Sequence, residues 1–183
     1  MRIGPGLRRG GCGITTANCM AVDVGCVGVR LMKPSAFLHR TRAIPRPERF
    51  VVAAVRPSER EMALRVVESS DDFCAVLSGG GEVTVVMPQE QWQRASALFL
   101  DPAVETDFRV ITLSADLPMD SVGYVSVVTG ALAETGVQAA VLSAYSFEHL
   151  LVRERDLARS LDVLHRAGAV AATGSSATEE HPI

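Results

Sequence analysis

Residues 107–166 read DFRVITLSADLPMDSVGYVSVVTGALAETGVQAAVLSAYSFEHLLVRERDLARSLDVLHR, and their apolar period changes several times along the segment. Residues 108–114 alternate apolar and polar side chains, which predicts a largely buried strand. Residues 122–135 then place valine, alanine and leucine on one helical face, and Gly136 stands where a helix commonly ends. The first half of the segment is therefore predicted to be a strand followed by a helix.

After Gly136 the apolar residues return to the period of strands. Residues 137–145 alternate, residues 146–148 predict a tight reversal, and residues 149–153 form a further apolar strand. Asp156 stands at the expected N-cap of a second helix with leucines at i, i+4 and i+7, and a last short strand is predicted after it, over 169–173. The order β-α-β-β-α-β is typical of a ferredoxin-like fold, with two helices on one face of an antiparallel sheet.

This order, with an acidic, proline-containing loop after the first strand, resembles the ACT domain, a small-molecule regulatory module. The run LSAYSFEHLLVRERDL, residues 142–157, is similar to a segment of the cytosolic arginine-sensor (CASTOR) family and its bacterial relatives. Residues 69–86 resemble the shorter first lobe of the same proteins. The resemblance covers roughly residues 50–172. It implies an α+β fold of two tandem ACT-like lobes.

The composition indicates a folded chain and argues against several functional classes. The 183 residues leave room for one ordinary domain or two small ones, and 48% of them are hydrophobic, enough for a core. The net charge is −3 with mixed signs along the chain, which argues against nucleic-acid binding. No apolar run reaches the ~20 residues that span a bilayer. The four cysteines lack the paired spacing of zinc sites, so we expect a cytoplasmic protein without metal or cofactor.

We predict four segments along the chain. Residues 1–49 are rich in Gly, Arg and Pro, and are predicted to be disordered or to lie upstream of the true start. The pair at residues 8 and 9, Arg-Arg, also suggests a targeting signal, although no convincing apolar region follows it. The first, shorter ACT-like lobe is predicted over 50–105, the second ACT domain over 106–173, and a disordered tail over 174–183.

Within the first lobe the same signals predict a strand at 50–55, a helix at 58–67 with Ser58 as its N-cap, and a helix near 89–100. Two further strands, 73–77 and 83–87, flank three glycines that predict a hairpin turn. No GK[ST] sequence follows these glycines and they do not open a helix, which argues against a phosphate-binding loop.

The best candidate site is the loop from Ala115 to Gly123. Helix N-termini attract carboxylates, while Asp116 and Asp120 in the same loop could accept hydrogen bonds from an ammonium group. Gly123 would allow a ligand close to the backbone. This combination suits an amino acid or a similar small zwitterion. The alternative is that Asp120 only caps the helix and Asp116 is only a solvated loop residue.

A second candidate is the turn from Ser143 to Glu148. Glu148 supplies a carboxylate where the arginine sensors have an aspartate, but Phe147 replaces a hydroxyl and the loop before the helix lacks their serines. The identity of the ligand therefore stays open. The resemblance implies a ligand between the lobes, and the predicted binding residues are Asp116, Leu117, Met119, Asp120, Ser121, Val122, Gly123, Ser143, Tyr145 and Glu148.

The sequence argues against an enzyme. Ser143, His149 and Asp156 are the residue types of a hydrolytic triad, but no strained nucleophile elbow presents the serine. We predict a non-enzymatic, amino-acid-binding regulatory module. A homodimer or a protein partner would respond to the change in packing that the ligand causes. The alternatives are a ligand-free interaction or dimerisation module, and a detached regulatory subunit of an amino-acid metabolic enzyme.

Overall fold

The computed structural model describes residues 38–115, 117 and 121–171. The strands in this part of the chain are β1 Thr41–Pro45, β2 Phe50–Val55, β3 Ala75–Gly79, β4 Glu82–Pro88, β5 Ala103–Ala115, β6 Ala139–Ser143, β7 Phe147–Arg153 and β8 Val170–Ala171. The helices are α1 Arg60–Glu68, α2 Gln89–Ala95, α3 Tyr124–Glu134 and α4 Leu157–Arg166. The α+β prediction is confirmed.

The long strand β5 belongs to both lobes. The first lobe has the strand order β3-β4-β2-β5, and β2 pairs antiparallel with the first half of β5. In the second lobe β5 lies between β1 and β7, and β6 follows β7. Asp107, near the middle of β5, has a φ of 62°, a left-handed conformation that is uncommon for a residue other than glycine. The strand therefore runs across the predicted lobe boundary between residues 105 and 106.

Strand β1 is the main departure from the prediction, because its residues were expected to be disordered. It pairs antiparallel with the end of β5, from Thr41 opposite Ala115 to Pro45 opposite Ile111. Of the strand predicted at 169–173, residues 170 and 171 form β8, which pairs parallel with β1, and residues 172 and 173 lie outside the described part of the chain. An N-terminal strand thus fills the position beside β5 in the second lobe. The rest of the predicted disordered segment, residues 1–37, and the predicted tail lie outside the described residues.

Each lobe packs its helices against one face of its part of the sheet. The core of the second lobe is formed by Leu38, Ala43, Ile111, Leu113, Tyr124, Val128, Leu132, Val137, Leu150, Val152, Val163, Leu164 and Ala169. The core of the first is formed by Val51, Ala53, Val55, Ala63, Val66, Val83, Val85, Met87, Trp92, Ala95 and Phe99. A third cluster contains Phe50, Val86, Val110 and Leu151, and it joins the two lobes on the side of the sheet away from these cores.

Two of the predicted helix caps differ in the structure. The turn ahead of α1 is closed by the Glu59 carboxylate, which accepts a hydrogen bond from the Arg56 N–H at 3.1 Å, so Ser58 is not the cap. Asp156 does precede α4, but its side chain makes no capping hydrogen bond. Its carboxylate instead lies 3.6 Å from Arg155 and 3.8 Å from Arg159. Among the described residues, no helix is long and apolar enough to cross a membrane.

Candidate functional site

A cleft of about 370 Å³ lies in the second lobe, where the end of β5, the start of α3 and the β6–β7 turn meet. Its described lining consists of Leu113, Ala115, Leu117, Ser121, Gly123, Tyr124, Val125, Ser126, Ala144, Tyr145, Ser146, Phe147 and Glu148. All of these residues belong to the second lobe. The resemblance implied a ligand between the lobes, whereas this cleft is formed within one of them.

The N-terminus of α3 forms one wall of the cleft. The N-cap is Gly123, which has a φ of 91° and no side chain to accept a hydrogen bond. The first N–H groups of an α-helix have no intrahelical acceptor, and the helix end carries a partial positive charge. Because residues 124–126 also line the cleft, these amides are suited to an anionic group of a ligand.

Glu148 brings a carboxylate to the same cleft from the first half of β7. One of its carboxylate oxygens, Oε2, is buried and has no hydrogen-bond partner within the described part of the chain. A buried acceptor without a donor is unfavourable by about 1–3 kcal/mol, and more when it is charged. A ligand that carries an ammonium group in the cleft would bring the opposite charge to this carboxylate.

Tyr124 connects the cleft to the N-terminal strand. Its hydroxyl lies 3.1 Å from the Thr41 hydroxyl of β1, and both side chains are buried. Burial raises the pKa of Tyr124, the Thr41 hydrogen bond partly offsets this, and the Glu148 carboxylate raises it further. The tyrosine therefore stays protonated and remains a hydrogen-bond donor near Glu148.

The structure brings together only some of the predicted binding residues. Leu117, Ser121, Gly123, Tyr145 and Glu148 line the cleft.

The other predicted residues have different positions. Val122 is 56% exposed and Ser143 is also exposed, opposite Glu148 on β6, and neither lines the cleft. Asp116, Met119 and Asp120 lie outside the described residues. Their proposed contacts stay predictions.

The sequence analysis did not single out Tyr124 or Ser126 as part of this cleft, whereas Phe147 lies within the candidate turn Ser143 to Glu148. The position of Ser126 near the start of the predicted helix, close to the candidate loop, was a usable signal. No local signal could have indicated the contact between Thr41 and Tyr124, because it depends on the unexpected strand β1.

A cluster of polar and aromatic side chains lies on the opposite side of β7 from Glu148. His149 packs against Phe73 of the first lobe with ring centroids 4.4 Å apart, and its Nδ1 lies 3.1 Å from the Thr112 hydroxyl. Arg46 lies over the Phe73 ring at 5.3 Å and donates from Nε to Thr112 at 3.4 Å. Burial, and then the Arg46 charge, lower the pKa of His149 to about 4.

The neutral form of His149 is expected to make folding depend on pH. The pKa is about 4 in the folded chain and 6.5 ordinarily, so the unfolded chain takes up the proton first as the pH falls. The free energy of unfolding is therefore unaffected by this histidine above pH 6.5, and it decreases by about 2–3 kcal/mol as the pH falls towards 4. Urea unfolding of the wild type and His149→Asn across this range measures the effect. Parallel profiles for the two proteins would contradict it.

Comparison with known proteins gives a match to one family model over part of the chain. Residues 103–166 match the family model described as the ACT domain. No curated protein sequence matches the chain.

Several solved structures share the fold. A protein from Agrobacterium tumefaciens is 19% identical with a TM-score of 0.61, and the match covers 77% of this chain and 98% of that one. A protein of unknown function from Vibrio cholerae, described as a possible transport protein, is 23% identical with a TM-score of 0.57, and the match covers 73% and 94%. The ligand-free regulatory subunit of aspartate kinase from Thermus thermophilus is 9% identical with a TM-score of 0.54, and the match covers 68% and 95%.

These similarities confirm the predicted ferredoxin-like ACT fold and relate it to the regulatory domains of aspartate kinases. At these identities they concern the fold alone, because one fold serves many functions.

Proposed function

We propose that this chain is a non-catalytic regulatory module that binds a free amino acid in the cleft between the start of α3 and the β6–β7 turn. The α-carboxylate would accept hydrogen bonds from the first amides of α3, and the ammonium group would lie against Glu148. A cytoplasmic location is part of the proposal. So is the narrower relationship to the arginine-sensor family, which would make arginine one of the ligands to test.

The observation that carries the proposal is the pairing of two complementary groups in one small cleft. A helix N-terminus whose N-cap residue, Gly123, has no side chain favours a negative group, and the Glu148 carboxylate in the lining of the same cleft favours a positive one. An α-amino acid carries both charges, on two groups bonded to the same carbon atom. The ACT match of the second lobe and the fold shared with aspartate kinase regulatory subunits support a regulatory role.

Strand β7 offers a route by which ligand binding could alter the first lobe. Glu148 lines the cleft, while His149 points to the other side of the strand and contacts Phe73 of the first lobe. A ligand that pulls on Glu148 would therefore shift the packing between the lobes. The ligand can change the equilibrium between the two packing arrangements only by the difference in its binding free energy for them.

The first experiment is thermal melting of the full chain against each of the twenty amino acids. A ligand at ~100 times its dissociation constant adds ~2.7 kcal/mol to the free energy of unfolding, which raises the melting temperature by several degrees in a chain of this length. We expect one or a few amino acids to act selectively. A panel without any shift at millimolar concentrations would contradict the proposal.

Glu148→Gln is expected to weaken binding of the active amino acid by about 10–100-fold. The substitution keeps the shape of the side chain but removes the charge, and hydrogen bonds to charged groups contribute about 1.5–3 kcal/mol. Glu134→Gln is the matched control, because Glu134 is exposed at the C-terminal end of α3, the helix whose N-terminus lines the cleft. Isothermal titration of the three proteins measures the difference. Equal affinities of the three proteins would show that Glu148 does not contribute to binding.

A second candidate function is a ligand-free interaction module. It is favoured by the exposed apolar side chains around the cleft, among them Tyr145 at 83% and Val122 at 56%. In that case the melting temperature would rise with protein concentration and would not change when amino acids are added. A detached regulatory subunit would also bind an amino acid, but would in addition form a complex with its enzyme.

A further inference from the structure

The cleft between the start of α3 and the β6–β7 turn contains apolar residues besides the groups that would hold the two main-chain charges of an amino acid. Leu113 and Ala115 line it at the end of β5, and Val125 lines it in the first turn of α3. Ala144 and Phe147 line it at the β6–β7 turn. Each of the three elements that form the cleft therefore contributes apolar residues to it.

Glu148 is the one charged residue in the part of the lining that the structure describes. In the proposed function its carboxylate lies against the ammonium group of the ligand, while the first amides of α3 donate to the α-carboxylate. The described lining thus offers no second ionised group to the side chain of the ligand. A charged side chain would lose hydration in the cleft without gaining an ion-pair partner, which is unfavourable.

Val125 has a position from which it can contact the side chain of the ligand. The first backbone hydrogen bond of α3 runs from the Val127 N–H to the Gly123 carbonyl at 3.0 Å, so the Val125 amide has no intrahelical acceptor. A carboxylate bound at this amide would bring the α-carbon of the ligand, and the side chain bonded to it, close to the Val125 side chain.

Part of the apolar lining is exposed to water in the free protein. Val125 is 37% exposed and Phe147 is 36% exposed, whereas Leu113 at the end of β5 is buried. A ligand gains affinity from apolar surface that it removes from water. The exposed part of the Val125 side chain therefore favours a ligand with an apolar side chain over one with a polar side chain.

The β6–β7 turn is held by its own backbone. The Ala144 N–H donates a hydrogen bond to the Phe147 carbonyl at 2.8 Å, which closes the turn. This side of the cleft is therefore formed before a ligand binds, so little affinity is lost in ordering it.

We propose that the cleft selects free amino acids with an uncharged, apolar side chain, and that Val125 is a specificity-determining residue. This proposal rests on the proposed function, since the same contacts hold the main-chain groups of the ligand. Leucine, isoleucine, methionine and phenylalanine belong to the selected class, whereas arginine, lysine and asparagine do not.

Two matched pairs of ligands test the selectivity by isothermal titration of the full chain. Leucine and asparagine have side chains of similar shape but different polarity, and norleucine is lysine without its terminal ammonium group. We expect leucine to bind at least about tenfold more tightly than asparagine, and norleucine at least about tenfold more tightly than lysine. If asparagine or lysine binds as tightly as its apolar counterpart, the selectivity is overturned while amino-acid binding itself is upheld. Binding of none of the twenty amino acids would contradict the proposed function, and the selectivity with it.

Val125→Ala is expected to weaken leucine binding about three- to tenfold, because it removes apolar surface from the cleft, and to weaken asparagine binding less. Val122→Ala is the matched control, because Val122 is 56% exposed, precedes Val125 by three residues and does not line the cleft. The ratio of the leucine and asparagine affinities is the decisive quantity, since a merely structural effect would lower both affinities equally. An unchanged ratio in Val125→Ala would overturn the role of Val125.

Discussion

A chain that begins at residue 46 is expected to lose the folded second lobe. It lacks Leu38 and Ala43, which are 2% and 4% exposed in the core, and it leaves residues 111–115 of β5 without their antiparallel partner on that side. Loss of one buried leucine alone is unfavourable by about 2–5 kcal/mol, and each lost backbone hydrogen bond adds about 0.5–1.5 kcal/mol. The total is comparable with the whole stability of a typical domain, about 5–15 kcal/mol.

The measurement compares chains that begin at residues 36 and 46 by circular dichroism and urea unfolding. The longer chain keeps β1 and Leu38, so the difference between the two measures the contribution of residues 36–45. We expect the shorter chain to show a much lower or non-cooperative unfolding transition. It should also lose the amino-acid response, because Thr41 no longer supports Tyr124 beside the cleft. Equal unfolding midpoints would show that β1 does not hold the lobe together.

The second large effect is expected from Phe50→Ala. Phe50 is fully buried and belongs to the cluster that joins the lobes, together with Val86 of the first lobe and Val110 and Leu151 of the second. Its ring also meets Phe73 in an edge-to-face contact with centroids 5.9 Å apart. Truncation of a buried phenylalanine typically reduces the free energy of unfolding by about 3–5 kcal/mol.

Phe147→Ala is the matched control, because Phe147 is 36% exposed and is expected to lose less than about 1 kcal/mol. Urea unfolding followed by circular dichroism and by the fluorescence of Trp92, the only tryptophan of the chain, reports on the whole fold and on the first lobe. If Phe50→Ala separates the lobes, the two signals should no longer coincide. A loss as small as that of the control would mean that the lobes are held together elsewhere.

The pattern of neighbouring residues in the sequence was enough to predict most of the helices and strands. Strand β2 has the bounds that were predicted, residues 50–55, and the glycines at 79–81 form the expected turn, with Gly80 and Gly81 at positive φ. Helix α3 lies within two residues of its predicted bounds, and helix α4 begins directly after Asp156, as predicted. These features depend on side-chain period and backbone freedom, which neighbouring residues specify by themselves.

The position of β1, the shared strand β5 and the partners of the cleft residues were decided by tertiary structure. The five residues of β1 show little alternation and end at Pro45, so nothing local distinguishes them from a linker. They become a strand because β5 offers unpaired backbone groups and the second core accepts Ala43. Periodicity tells which face of an element is buried, but only the folded chain decides which distant residue, such as Thr41 for Tyr124, lies against it.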